Sequence, residues 1–236
     1  MPIGAYSEKQ VMPEEKLVLV PDGISDEVAS CITLKGITAE YLLHRAYPLK
    51  KGDKVLYHAA AGALGQILCP WANALGAEVI GTVGSKAKEE VAKKNGCHHV
   101  INYSEKDFVK EVEKIVGKNG IDVVYDGVGT KTFKGSIETL KIRGMMVAFG
   151  NASGYVDTLD IKKDINAKGL FFTRPSIAHY TVKREELVES AKKVFDAILT
   201  KKFTVEISKK YSLEDAAQAH KDLEARLLTG PAVIIP

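Results

Sequence analysis

Cysteine is scarce in this chain of 236 residues: Cys31, Cys69 and Cys97 are three, an odd number, widely spaced and without a CxxC pair. That excludes a disulfide framework and a cysteine-rich structural zinc site. One-sided charge is scarce as well, with 33 Lys and Arg against 30 Asp and Glu, a formal +3. So small an excess supplies no concentrated basic footprint for nucleic acid, and Lys201-Lys202 and Lys209-Lys210 read as solvated edges. No apolar run is long enough to span a membrane, and the amino terminus has no basic-then-apolar leader pattern. A soluble, reducing, cytoplasmic setting is the expectation. Internal repeats and low-complexity tracts are missing too.

What is present is a substantial apolar fraction, 45% of residues, enough to bury a large core. From residue 50 onward short apolar runs alternate with helical periods. Strands are expected at 55–57, 78–83, 100–101, 121–125, 145–149 and 170–172. Between them, helices are expected at 67–75, 85–94, 107–116 and 131–140. Gly76 stands just past the first helix, and Phe108, Val109, Val112, Ile115 and Val116 share one face of the third. Strands alternating with helices in this way give a parallel sheet covered on both faces, an α/β doubly wound fold.

The flanks are less regular. Residues 16–20 read as a strand closed by Pro21-Asp22-Gly23, and Ser25 as the cap of an acidic helical turn. Residues 38–45 read as a separate helical piece. Beyond Pro175 come a helix at 185–199, a strand at 204–207, a helix at 212–228 and a final strand at 232–235. Ser212 with Asp215 is a near-match to a capping box.

The central motif is Ala59-Ala60-Ala61-Gly62-Ala63-Leu64-Gly65, after a strand and opening a helix, the context of a dinucleotide fingerprint. Gly62 and Gly65 fill its second and third glycine positions, and Ala60 stands at the first, which requires the turn to be made there without positive φ. The amides of residues 62–65 are expected to converge on phosphate at a helix amino terminus. The other reading is a small-residue helix start needed only for packing.

The end of the second strand decides the cofactor. An NAD site carries Asp or Glu there for the ribose hydroxyls. Here the residues are Gly81-Thr82-Val83-Gly84-Ser85, then Lys86 and Lys88, while Glu78 lies at the opposite end. A ribose 2′-phosphate requires neutral or cationic partners, so NADPH is the expected cofactor, with Lys88 the preferred partner. On a helix such a lysine otherwise simply faces solvent. Gly84 and Ser85 belong to the same candidate site. Two further strand ends carry glycines, Asp126-Gly127-Val128-Gly129 and 150–154, and place Val128, Asn151 and Ser153 along the same sheet edge. Turn chemistry alone would also account for them.

Other chemistries find little support. His98 and His99 are adjacent and point to opposite faces of a strand, and His44, His58, His179 and His220 lack Cys or acidic neighbours at ligand spacing. Ser153 lacks a G-x-S-x-G elbow. Trp71 reads as packing.

The runs 58–65 (HAAAGALG), 80–84 (IGTVG), Ile101-Asn102-Tyr103, 125–129 (YDGVG), Phe149-Gly150-Asn151, Thr173-Arg174-Pro175-Ser176 and Glu224-Ala225-Arg226 together resemble the zinc-free, zeta-crystallin-like quinone oxidoreductases of the medium-chain dehydrogenase/reductase superfamily. The resemblance implies a Rossmann domain joined to a GroES-like barrel. It also implies NADPH-dependent reduction of quinones or related enones, without metal and with no single catalytic residue retained. Gly84, Lys88, Tyr103 and Arg226 match residues holding the 2′-phosphate, and Ala63 with Leu64 those at the pyrophosphate. Thr38, Phe149, Asn151 and Phe172 match the nicotinamide end. It further implies a homodimer through the nucleotide domains.

By the same resemblance the GroES-like domain is incomplete, the chain starting inside it. Residues 1–35 and 204–236 are its remnants, 36–175 form the Rossmann domain and 176–203 a connecting helix. The alternative function is a non-catalytic NADPH-binding protein, a sensor, crystallin-like component or RNA-binding protein.

Overall fold

A computed structural model describes residues 4–236 except Arg226 and Thr229. Its core is a six-stranded, wholly parallel sheet built from β1 (Lys54–His58), β2 (Glu78–Val83), β3 (His99–Asn102), β4 (Ile121–Asp126), β5 (Leu140–Ala148) and β6 (Phe171–Thr173). The strand order is β3-β2-β1-β4-β5-β6, so the chain runs outward from β1 in one direction, returns, and runs outward in the other. This is the doubly wound Rossmann topology, with its switch point between β1 and β4.

Period-two alternation explains why both sheet faces are buried. Val55, Tyr57, Val79, Val123, Tyr125 and Val147 face one core, shared with Trp71, Phe195 and Phe203. Leu56, Ile80, Val124 and Met146 face the other, shared with Val112 and Phe133. Trp71 is packing, as expected, lying 5.6 Å from the Phe203 ring. The crossovers α2 (Gly65–Ala74), α3 (Lys86–Lys94), α4 (Phe108–Val116) and α5 (Phe133–Thr139) lie within a few residues of their sequence-read bounds. The fifth strand starts earlier than residue 145, at Leu140, and reaches its pairing with β4 through a register shift.

The flanks depart more. Ser25 caps a helix as expected, its Oγ accepting from the Val28 amide at 3.3 Å, but that helix, α1 (Asp26–Tyr41), is continuous. It therefore includes the start of the piece expected at 38–45 and crosses the division drawn at residues 35/36. Gly36 does not break it because the helix there lies hard against α7 (Arg184–Leu199): a Cβ on Gly36 would meet Val194 Cγ1 at 2.4 Å. Tertiary contact has overridden the weak helix propensity of glycine. Residues 16–20 form no strand; a 3-10 turn at Glu14–Lys16 leads into extended chain on which Leu19 is 95% exposed. The strand expected at 204–207 is likewise absent. β7 forms instead at Lys209–Ser212 and pairs in parallel with β8 (Ala232–Ile235).

The helix between them, α8 (Ala216–Glu224), is shorter than 212–228. Ser212 and Asp215 do bond reciprocally, Oγ to carboxylate at 2.8 Å and amide to Oγ at 3.3 Å. They close a turn before the helix, without capping it. A four-residue helix, α6 (Ile177–Tyr180), links β6 to α7.

Candidate functional site

Four loops gather at the carboxyl edge of the sheet, where ligands of open α/β sheets bind. The first is the turn between β1 and α2. Its left-handed residue is Ala59, φ +63°, a conformation that costs a residue with a Cβ roughly 1–2 kcal/mol. Ala60, at the first-glycine position, carries no positive φ and is fully buried, its amide donating to the Thr82 carbonyl at 3.0 Å. Its methyl occupies space that Gly81 leaves free, since a Cβ on Gly81 would lie 2.6 Å from it. Gly65 performs the third-glycine role: a Cβ there would sit 2.3 Å from the Ala60 carbonyl oxygen.

At Gly62 the geometry corrects one expectation. Its amide donates to the Ala59 carbonyl at 2.8 Å, so the amides of 62–65 do not all aim at phosphate. Those of Ala63 and Leu64 find no acceptor among the described residues. They remain the donors at the amino terminus of α2. From Ala63 a cleft opens toward the carboxyl-terminal unit, lined by Tyr6, Lys35, Tyr211, His220 and Gly230.

The second loop follows β2. Gly84 lies under the Tyr103 side chain, since a Cβ would fall 2.6 Å from its Oη. Tyr103 is held by its amide on the Val83 carbonyl, 3.0 Å, and Ser104 Oγ donates to the Gly84 carbonyl at 2.9 Å. Tyr103 is half-exposed. Ser85 precedes α3 with extended backbone and makes no side-chain cap, while Lys86 and Lys88 are exposed. Gly84, Ser85, Lys88 and Tyr103 thus surround one strand end. Of the nearby acids, Glu78 is at the far end of β2 against His99, and Glu89 accepts from Asn102 Nδ2 at 3.3 Å.

The third and fourth loops, after β4 and β5, are stitched together. The Asp126 carbonyl accepts from the Phe149 amide (2.9 Å), the Gly127 carbonyl from Ala152 (3.2 Å) and the Val128 carbonyl from Ser153 (2.7 Å). Glycine is required at 150 and 129 for this approach: Cβ atoms there would meet Gly127 O and Gly154 O at 2.4 and 2.3 Å. The Ser153 hydroxyl is spent on the same seam, donating to the Val128 carbonyl at 2.9 Å and accepting from the Lys131 amide at 3.1 Å. Phe149 stacks near Tyr57, 6.2 Å between centroids. Asn151 lies beside it, half-buried.

The remaining candidates lie further out. Phe172, on edge strand β6, pairs with Met146 in register and meets Phe133 edge-on at 6.1 Å. Thr38 stands on α1, its hydroxyl donating to the Leu34 carbonyl at 2.8 Å. Arg226 lies outside the described residues.

Spacing gave no hint that His58 belongs to a buried polar cluster with an acid. Its Nδ1 is 2.9 Å from Thr82 Oγ1 and its Nε2 2.9 Å from Ser136 Oγ. Ser136 in turn leans on Asp126 Oδ2 at 3.3 Å. Burial pushes the imidazole pKa below its ordinary value, against a smaller upward pull from Asp126. The signal existed only as polar residues at strand positions that should be apolar. His98 and His99 go separate ways, to the Val79 amide and to Glu78. Among the described residues no group of three or more His, Cys, Asp or Glu could hold a metal ion, and no helix is long and apolar enough to cross a membrane.

Residues 63–199 match the family model described as zinc-binding dehydrogenase. A 2-haloacrylate reductase from a Burkholderia species is 45% identical over all of this chain and 72% of its own length. Quinone oxidoreductase 1 of Escherichia coli (strain K12) is 43% identical over 99% of this chain and 72% of itself. The solved structure of E. coli quinone oxidoreductase complexed with NADPH superposes with a TM-score of 0.86 at 43% identity, covering 92% of this chain and 68% of that one.

Proposed function

The chain belongs to the quinone oxidoreductases of the medium-chain dehydrogenase/reductase superfamily, and on that premise we propose that it binds NADPH and reduces quinones or related enones. The observation that carries the cofactor reading is the β2 end, where Gly84 lies under Tyr103, Ser85 and Lys88 follow, and the strand closes on no Asp or Glu. A solved relative in complex with NADPH supports it.

The residues present fit that cofactor. The amides of Ala63 and Leu64 would take the pyrophosphate at the α2 amino terminus. Lys88 and Tyr103 would hold the 2′-phosphate, the lysine by charge and the phenol by a hydrogen bond. Val128, Phe149 and Asn151, on the stitched loops, would frame the nicotinamide end, with Phe172 and Thr38 contributing from β6 and α1. Ser153 keeps its place in the seam and holds that frame rigid. When bound, NADPH supplies the hydride or electron that the acceptor receives. The chain's contribution is to hold the two reactants together and exclude water, which by itself lowers a bimolecular barrier substantially.

The same reading places a homodimer on edge strand β6, whose Phe171 is 58% exposed. It divides the chain into a nucleotide domain and a second unit containing β7, α8 and β8. It sets the protein in a reducing cytoplasm, with all three cysteines free and buried.

Binding of NADPH and NADH to the purified chain, followed by quinone turnover on the same sample, tests the proposal. NADPH bound more tightly than NADH, with quinone-stimulated oxidation, is the expected result. Binding without turnover on quinones or enones would instead make this a non-catalytic NADPH-binding protein.

A further inference from the structure

Beneath the cofactor loops runs a hydrogen-bonded chain of side chains, none of which belongs to a ligand-facing residue. Ser136 has one hydroxyl proton, and its nearest acceptor is the Thr132 carbonyl at 2.8 Å. The Ser136 oxygen also stands 2.9 Å from His58 Nε2. Nδ1 stands at the same distance from Thr82 Oγ1, and since both partners are hydroxyls a neutral imidazole satisfies the two bonds together. On the far side, Asp126 Oδ2 accepts from the Thr132 hydroxyl at 2.7 Å, and Oδ1 from the amides of Val128 and Gly129 at 2.8 and 2.9 Å. Thr82, His58, Ser136, Asp126 and Thr132 are all buried, and the Phe108 ring closes over His58 edge-on at 5.0 Å.

Each end of this chain terminates at a loop already assigned to the cofactor. Thr82 lies two residues before Gly84, and its carbonyl holds Ala60 in the glycine turn. His58 directly precedes Ala59, whose φ of +63° needs support from its surroundings. Asp126 fixes the turn that carries Val128. A satisfied buried network of this kind rigidifies what it touches, whereas an apolar filler would only occupy the space.

We propose that His58 is a positioning residue: its neutral imidazole fixes the spacing between the adenosine 2′-phosphate loop, through Thr82, and the nicotinamide-side turn, through Ser136, Thr132 and Asp126. This rests on the cofactor reading above and adds to it a residue that touches no ligand.

The test uses the full chain and three probes: NADPH, NADH and 2′,5′-ADP, which reports only the adenosine end. His58→Asn can still reach Thr82 but not Ser136; His58→Gln can reach Ser136 but not Thr82. His58→Asn is expected to bind 2′,5′-ADP as wild type does and to lose about tenfold for both dinucleotides, the scale of one lost hydrogen bond. His58→Gln is expected to lose about tenfold for 2′,5′-ADP and to narrow the preference for NADPH over NADH. Thr82→Val and Ser136→Ala, which leave the imidazole in place, are expected to reproduce the Gln and Asn patterns respectively. Equal losses for all three probes in step with a fall in Tm would reduce His58 to a packing residue and overturn the proposal, as would wild-type binding in all four variants. Failure of the unmodified chain to bind any probe would remove the cofactor reading itself, and the inference with it.

Discussion

Lys88 and the two glycines of the turn show how single residues divide the labour of the cofactor site. Lys88 is exposed on the first turn of α3, so its removal should leave the fold intact. Lys88→Ala is expected to weaken NADPH by about tenfold or more while changing NADH by less than about threefold, because only the former has a 2′-phosphate for a charge-assisted bond. Equal losses, measured by titration calorimetry, would displace Lys88 from that role. The glycines separate by the same logic. A methyl at Gly65 would strike the Ala60 carbonyl at 2.3 Å, whereas at Gly62 the nearest atom is the Ala59 oxygen at 3.1 Å. Gly65→Ala should therefore lower stability by about 1–3 kcal/mol, visible as a lower urea midpoint with unchanged slope. Gly62→Ala should fold nearly as well but bind NADPH less tightly, the methyl standing where a phosphate must approach.

At the scale of elements, α1 against α7 is the contact that sequence periodicity could not anticipate. The piece read separately at 38–45 is joined to the turn at Ser25 because Gly36, in mid-helix, lets α1 approach Val194. Gly36→Ala would gain about 1 kcal/mol of helix propensity and lose about 1–3 kcal/mol to the clash, a net destabilisation. Combining it with Val194→Ala should recover most of that loss. Simple additivity of the two single changes in denaturant titrations would argue against the contact. Elsewhere the elements were legible. β2 was read to the residue, and α2, α3 and α4 within two residues at either end, since their apolar periods and Gly stops act locally. The strands read at 16–20 and 204–207 failed for the opposite reason. A strand exists only with a partner, and among the described residues neither segment has one.

For the molecule as a whole, the buried imidazole links the cofactor edge to acid stability. His58 has its pKa depressed by burial, with Asp126 the one charged group pulling it back; Thr82, Phe108 and Ser136, which also pack against it, do not titrate in this range. The unfolded chain, with an ordinary value near about 6.5, therefore binds this proton more readily than the folded one. Stability from this residue is complete above about pH 6.5 and is lost as pH falls toward the lower folded value. His44, also lowered chiefly by burial, acts in the same sense. The Tm is expected to fall as pH drops below about 6.5. His58→Gln should flatten part of that slope; an unchanged profile would mean another group is responsible.

How much was written in the linear chain follows from the range of the forces involved. Helix periods, turn glycines and the absence of an acid after β2 act over a few residues, and they sufficed for the doubly wound sheet, for the turn at 59–65 and for a phosphate-tolerant strand end. Tyr103 and Phe172 were reached only through family resemblance, because strand order, not spacing, brings β3 beside β2 and β6 beside β5. Tertiary structure alone decided that Ala59 bears the strained φ, that the Gly62 amide is already spent, and that His58 joins Thr82 to Asp126. The last of these depends on atoms brought together from β1, β2, β4 and α5. No local pattern records the His58 cluster, because Thr82 and Ser136 lie 24 and 78 positions away along the chain, whereas the Gly62 amide is spent on Ala59 within the turn itself.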